Sequence, residues 1–470
     1  MDLKTVYHYT YFVYPFLVNE RRYKDFLWKF LNDEENWSLI IRDNETDLNT
    51  HAYFLPYVKK FLFPTIYWTN SFRQQFQEMS NKKKLDTLAG LTSVKFKYNI
   101  AKSYVSDSDA SRAGISFSVP DIDLICFESG ICFLKIKAVL DNEGQLYSSD
   151  ILDFNYKFRT INPRYLKRKK TEGLFLKNQE FNGMEDFSGF IENLLYGYED
   201  VEKENIYFDR LFTYSYMCLD QKEWNENRPL DEIINEFYKF QYVLRSDYGS
   251  TFDGGFKGFK DNTYTRWKYS IYGFSREAGV VFASERENFN STKLPEYYEH
   301  MYFYIFLLAF YQRIALILFS QELMTGGKKK IENLKDRFTK FTHFSWFSQI
   351  TNSEQGMDIW KKWQKAFDLP ELFDEVQKEY SEFYEFTVAK GQEKINLLLI
   401  VIYTISVMFS GLTLMMDFRI IHTYDTMIRT GIVILLAMTV FIYPAYALLK
   451  TLRTFIWKHQ TTVNKRNFMR

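Results

Sequence analysis

Only three cysteines occur in 470 residues, Cys126, Cys132 and Cys218. Their spacing forms neither a metal-ligand set nor a disulfide framework, which excludes a small cross-braced secreted fold and fits a reducing compartment. Histidine is almost as scarce. His8, His51, His300, His343, His422 and His459 are scattered, and Glu299-His300 lacks the second half of a metalloprotease motif. The glycine stretch from Gly249 to Gly258 has the wrong spacing for a Walker phosphate cradle, and no GxSxG elbow occurs. With no catalytic signature left, the expected class is not an enzyme. Net charge is missing too: 60 basic against 59 acidic residues leave +1. That balance removes the global basic field that would draw nucleic acid, and the Lys-rich runs at Arg164 to Lys170 and Lys328 to Lys330 read as solvated faces. The N-terminus, MDLKTVYHYTYFVYPF, has no basic region and no cleavage site, so no signal peptide is expected.

What the chain does have is two uncharged apolar segments near its end, Ile395 to Met416 and Thr430 to Leu449. Each is about the 20 residues a helix needs to cross a bilayer. The connecting stretch Asp417 to Arg429 is short, and the tail at 451–470, with Lys450 just before it, is basic and contains no acid. Basic flanks stay on the cytoplasmic side, so the hairpin is expected to enter and leave from inside. The predicted protein is multi-pass in the cell (inner) membrane, with both termini cytoplasmic and the bilayer as a partner.

Aromatic residues make up 19% of the chain, and many fall in strand-like runs. Val6 to Val18 reads as a strand, Glu20 to Leu31 as a helix, and further helix is expected around Tyr53 to Phe63. A hairpin follows, Asp123 to Phe127 and Ile131 to Leu140, with Gly130 supplying the positive φ of its turn. Asp150 to Phe158 reads as a short amphipathic helix. The order then recurs: strand at Arg210 to Leu219, helix at Pro229 to Leu244, and a hairpin at Arg266 to Tyr272 and Val280 to Ser284 with Gly273 and Gly279 at its turn. The expected cytoplasmic domain, 1–290, is therefore α+β: a duplicated ferredoxin-like unit with an antiparallel sheet and helices on one face. From Pro295 the chain is helical. Met301 to Ser320 is apolar enough to pose as a third span, but Gln312 and Arg313 in its middle favour a buried helix of the soluble domain. Leu369, Phe373, Val376, Tyr380, Phe383 and Thr387 recur at steps of four and three, a coiled-coil-like seam. The segment 291–394 is read as a helical stalk leading into the membrane hairpin at 395–450.

Two membrane helices cannot enclose a pore alone, so a pore requires a homo-oligomer around an axis. The small and hydroxylated residues Ser410, Gly411 and Thr413, with Leu412 between them, are candidate pore-lining positions near the outer end of the first helix. The same small residues also suit close helix packing.

This layout resembles the CorA superfamily of divalent-cation channels, whose signature is a Gly-Met-Asn motif at the outer end of the first membrane helix. The corresponding stretch reads Phe409-Ser410-Gly411-Leu412-Thr413, keeping Gly411 and replacing the other two positions. The stretches LICFESGICFLKIKAVL, RWKYSIYGFSREAGVVFAS and YYEHMYFYIFLLAFYQRIALILFS look like divergent CorA-like proteins found beside type III CRISPR systems. That resemblance implies a pentameric antiviral membrane effector switched on by a nucleotide second messenger, in some members an S-adenosylmethionine–AMP conjugate, with no nucleic acid bound directly. No tightly bound cofactor is implied; a divalent cation is a possible ligand, and its binding residues are unknown. A divalent-cation transporter and a non-conducting scaffold are the alternatives. A nucleotide conjugate needs guanidinium groups and a stacking plane. Two clusters offer them: Arg159, Arg164, Tyr165 and Arg168, and Arg266, Trp267, Lys268 and Arg276, with Arg164 and Arg168 favoured.

Overall fold

The computed structural model describes residues 2–43, 47–99, 104–106, 116–140, 145–159, 187–197, 210–228, 230–248, 261–325 and 328–420. The strands are β1 (Lys4–Leu17), β2 (Trp37–Leu39), β3 (Ser93–Tyr98), β4 (Tyr104–Ser106), β5 (Ser116–Phe127), β6 (Ile131–Leu140), β7 (Leu146–Tyr147), β8 (Phe212–Leu219), β9 (Thr263–Tyr264), β10 (Ser270–Phe274) and β11 (Ala278–Ser284). Among the described residues they form one sheet in the order β2-β3-β5-β6-β1-β8-β11-β10-β9, with β4 on β5 and β7 on β1. β1 lies mid-sheet and is buried on both faces over most of its length, which explains its near-continuous run of aromatic and branched residues.

The halves of the sheet are not copies of each other. In the first, β5 runs parallel to β1 with antiparallel β6 between them, the split βαβ arrangement that a ferredoxin-like unit requires. In the second, β11 pairs parallel with β8. The short β9, antiparallel to β10, takes up one extra crossing of the sheet before the hairpin, so β10 and β11 arrive with reversed sense. The sheet is consequently mixed, not antiparallel throughout.

Helices cover both faces, where the sequence suggested one. On one side Phe12 packs against Phe154 and Phe158 of the Ser148–Phe158 helix, and Phe282 against Phe237 and Phe240 of the Leu230–Gln241 helix. On the other, Phe212 meets Phe306, Phe310 and Trp363. Phe306 and Phe310 belong to the Phe303–Thr325 helix and Trp363 to the Glu354–Ala366 helix. A helix apolar all round must be covered all round, and the Leu294–Met324 stretch has 83% of its most apolar window buried inside the protein. Gln312 is fully buried and donates its amide to the Ser345 carbonyl at 2.8 Å. Arg313 donates to the Phe367 carbonyl. Each thus finds a backbone acceptor on a distant part of the same unit, while Gln312 Oε1 and Arg313 Nε are buried without a hydrogen-bond partner among the described residues.

Gly130 sits at φ +81° and its carbonyl accepts from Val18 N–H at 2.8 Å; a Cβ there would stand 2.4 Å from the Val18 oxygen. That hairpin turn is as expected. The second differs: Gly273 and Gly279 lie inside β10 and β11, and the turn is Ser275 to Glu277, closed by Ser275 N–H to the Ala278 carbonyl. The two glycines serve close approach, since a Cβ would meet Phe237 at Gly273 and Trp363 at Gly279.

The first compact unit extends to Val376, well past the boundary expected at 290, and a second comprises Gln377–Arg470. The helices from 294 to 366 thus belong to the sheet-containing unit. The seam's first positions are already used there: Leu369 and Val376 are buried, and Phe373 stacks on Trp346 with ring centroids 4.3 Å apart. The helix Leu369–Ile420 includes Gly391 without interruption. The predicted second membrane segment, Thr430 to Leu449, the loop before it and the basic tail lie outside the described residues.

Candidate functional site

Alternation along three neighbouring strands builds a ladder of buried and half-buried charges. Lys95 and Lys97 on β3, Asp121 and Asp123 on β5, and Lys135 and Lys137 on β6 each sit two residues apart, so each pair faces one side of the sheet. The register sets Lys97 opposite Asp123, Asp123 opposite Lys135 and Asp121 opposite Lys137. Asp123, 1% exposed, receives Lys95 at 2.9 Å and Lys135 at 2.5 Å. Asp121 receives Lys97 at 3.0 Å and Lys135 at 3.5 Å. Three ammonium groups therefore share two carboxylates.

The face opposite these groups comes from the start of the long apolar helix. A π-helical turn, Tyr298–Tyr302, precedes Phe303 and carries Glu299 and His300; such turns are frequent at functional sites. Glu299 accepts from Lys137 Nζ at 2.8 Å and from the Tyr11 hydroxyl. Three tyrosine hydroxyls hold backbone carbonyls in and before this turn: Tyr9 to Pro295, Tyr214 to Tyr298 and Tyr216 to Asn290. Lys135 Nζ lies 4.4 Å from the Tyr11 ring centroid and 5.1 Å from that of Phe303. One turn further on, the Tyr304 hydroxyl accepts from Arg42 Nη2 at 2.6 Å, while Arg42 Nη1 pairs with Asp47 at 2.9 Å.

The ladder's lysines and aspartates, with Arg42, Glu299, His300 and Tyr304, line a cleft of about 700 Å³ between β3, β5, β6 and the π turn. Its electrostatics follow from burial opposed by close charges. Burial alone would push the Asp123 carboxyl up, but Lys135 and Lys95 overcome it and hold it below the usual carboxylate range. For Lys135, burial disfavours the charge and Asp123 and Asp121 more than restore it, so it stays protonated well above its ordinary value. Glu299 is likewise lowered, burial being outweighed by Lys137. Tyr304 is buried, which raises a phenol, yet Arg42, Lys95 and Lys135 together bring it below its ordinary value. His300 is lowered by burial first and then by Lys135, Arg42 and Lys137, against the pull of Glu299.

Of the arginine clusters predicted from sequence, the described members Arg159, Arg266, Trp267, Lys268 and Arg276 do not line this cleft. Arg159 is buried and donates to Glu277 at 2.9 Å, and burial lowers its pKa. Arg276 pairs with Asp368 near that same turn. Arg266, Trp267 and Lys268 are exposed just before β10, at the other end of the strand from Arg276; Arg266 pairs with Glu354 at 3.1 Å. Arg164, Tyr165 and Arg168 lie outside the described residues. Ser410, Gly411, Leu412 and Thr413 fall near the end of the Leu369–Ile420 helix, where the Thr413 hydroxyl donates to Phe409 and Ser410 carbonyls of its own helix. Among the described residues no group of three or more His, Cys, Asp or Glu side chains is arranged to hold a metal ion.

The cleft was not foreseen. The period-two lysines and aspartates were visible in VKFKY, PDIDL and ICFLKIKAV, but their partnership depends on strand register. Comparison of the chain with protein families, with characterised proteins and with solved structures finds no match.

Proposed function

We propose that the protein is an oligomeric membrane pore of CorA-like type, controlled by its sheet-containing unit and acting as an antiviral effector that responds to a nucleotide second messenger. One observation carries the membrane part of this reading. The Gln392–Gly411 stretch is long and apolar enough to cross a bilayer, and only 12% of it is buried. Leu398, Leu399, Ile402, Tyr403 and Phe409 lie exposed along it, an apolar surface that water does not favour and that lipid or further copies of the helix would cover. The Thr404 hydroxyl bonds back to the Ile400 carbonyl, as Thr413 does to its own helix, which keeps these groups satisfied without water. The effector and messenger parts rest on the resemblance described above, and Thr413 in place of the family's asparagine argues against ordinary magnesium transport. The test is ion flux from liposomes holding the purified full chain, with and without an S-adenosylmethionine–AMP conjugate. Flux that appears only with the conjugate supports the reading; constitutive magnesium-selective flux supports a transporter, and no flux under any condition supports a scaffold.

A further inference from the structure

Buried ion pairs are weak contributors to stability, because desolvation offsets most of their attraction and apolar replacements are often as stable. A ladder that buries Lys135 and Asp123 beside an open cleft calls for a reason other than folding. Three features point to one. First, the ladder is unbalanced, with Lys95, Lys97 and Lys135 sharing Asp121 and Asp123, while Lys137 with Glu299 and Arg42 with Asp47 are matched one to one. Second, an ammonium has three donors, and the described pairs use one on Lys95 and one on Lys97. Third, the Tyr304 hydroxyl accepts from Arg42 and so keeps its own proton to donate, in a field made positive by Arg42, Lys95 and Lys135. The volume, about 700 Å³, lies within the range of small-molecule sites.

We infer that this cleft binds a small ligand presenting one oxyanion, a phosphodiester or a carboxylate, to Arg42, Lys95 and Lys135 beside the Tyr304 hydroxyl. A single negative charge matches the one positive charge left over among Lys95, Lys97, Lys135, Asp121 and Asp123; Glu296, the further carboxylate lining the cleft, pairs with Lys293 at 3.2 Å. On the π-turn side Glu299 already holds Lys137 and Glu296 adds a second carboxylate to the lining, so no unmatched cation is left there for a second anionic group, which sets the ligand's orientation. Seated there, the ligand would touch both β3, β5 and β6 of the sheet and the first turns of the buried helix. The inference rests on the proposal that this unit senses a small ligand, and it moves the expected contacts from Arg164 and Arg168 to the sheet.

Calorimetry on the full chain in mild detergent tests it with three probes that share adenosine: the dinucleotide ApA as phosphodiester, adenosine-5′-carboxylate as carboxylate, and adenosine itself as neutral control. One anionic probe should bind at least about tenfold more tightly than adenosine, the worth of a charge-assisted contact, and which one does so names the source of the oxyanion. Lys95→Gln should weaken that binding about tenfold and Tyr304→Phe, which removes a single oxygen and leaves the packing intact, severalfold. Equal binding of all three probes, or parental affinity in both variants, overturns the site. Binding without flux in liposomes would instead overturn the pore and leave the site standing, whereas messenger-switched flux that is unchanged in both variants would do the reverse.

Discussion

Replacing Lys135 with Met tests whether the charge ladder is as tightly coupled as its geometry requires. The methionine keeps most of the side-chain volume against Tyr11 and Phe303 but leaves Asp123, 1% exposed, with Lys95 as its remaining cation at 2.9 Å. Removing one partner of a buried pair typically destabilises by about 3–5 kcal/mol, and the surviving lysine places this case near the lower end, about 3 kcal/mol. The pH dependence has a definite sign. The folded-state pKa of Asp123 is depressed, so its contribution is complete above the unfolded value of about 4 and is lost as pH falls below it. The Lys135 pKa is raised, so its contribution is present below the unfolded value of about 10.4 and is lost as pH rises above it. Parent and variant should therefore differ most between these limits and converge at both extremes. Urea unfolding of the full chain in detergent, followed by fluorescence of the buried Trp360 and Trp363, reads this out. A second variant combining Lys135→Met with Asp123→Leu should recover at least half of the loss, since two well-packed apolar groups replace an orphaned charge. If Lys135→Met alone stays within about 1 kcal/mol of the parent at neutral pH, the coupling described here is wrong.

Two further variants probe other parts of the chain. Gly279→Ala places a Cβ 2.9 Å from the Trp363 ring and 3.0 Å from Tyr214, so unfolding should occur with about 1–3 kcal/mol less stability; an unchanged urea midpoint would show that the Glu354–Ala366 helix packs elsewhere. Gly411→Trp should block conductance in the proposed pore while leaving the assembled oligomer intact, and unaltered flux would remove Gly411 from the axis.

Much of the fold was legible because it rests on local signals. Lys4–Leu17 has the aromatic and branched density of a central strand, and Gly130 is the one residue type that tolerates its φ without strain. Gly273 and Gly279 were misread because a glycine beside a turn and a glycine beneath a helix look alike in sequence; only the positions of Phe237 and Trp363 distinguish them. The reversed sense of β10 and β11 was hidden because it depends on two residues, Thr263 and Tyr264, forming one more crossing. The cleft escaped for a related reason. Each lysine pair alone reads as the solvated face of a strand, and the ladder exists only once Lys97, Asp123 and Lys135 stand side by side.

The two apolar helices show how polar residues separate cases that hydropathy merges. Leu294–Met324 and Gln392–Gly411 both pass the length and composition required of a span. In the first, Gln312 and Arg313 reach carbonyls distant in sequence, Ser345 and Phe367, which only a folded neighbourhood supplies. In the second, the Thr404 and Thr413 hydroxyls reach carbonyls three or four residues back on the same helix, which need no neighbours at all. A long polar side chain inside an apolar run therefore indicates burial in protein, because its hydrogen-bonding groups extend beyond its own helix. A short hydroxyl is compatible with lipid. On this reasoning Arg313 should tolerate no transfer to a bilayer, while the exposed apolar face from Leu398 to Phe409 needs a cover that the sheet-containing unit, whose own apolar helix is already enclosed, does not need to provide for itself.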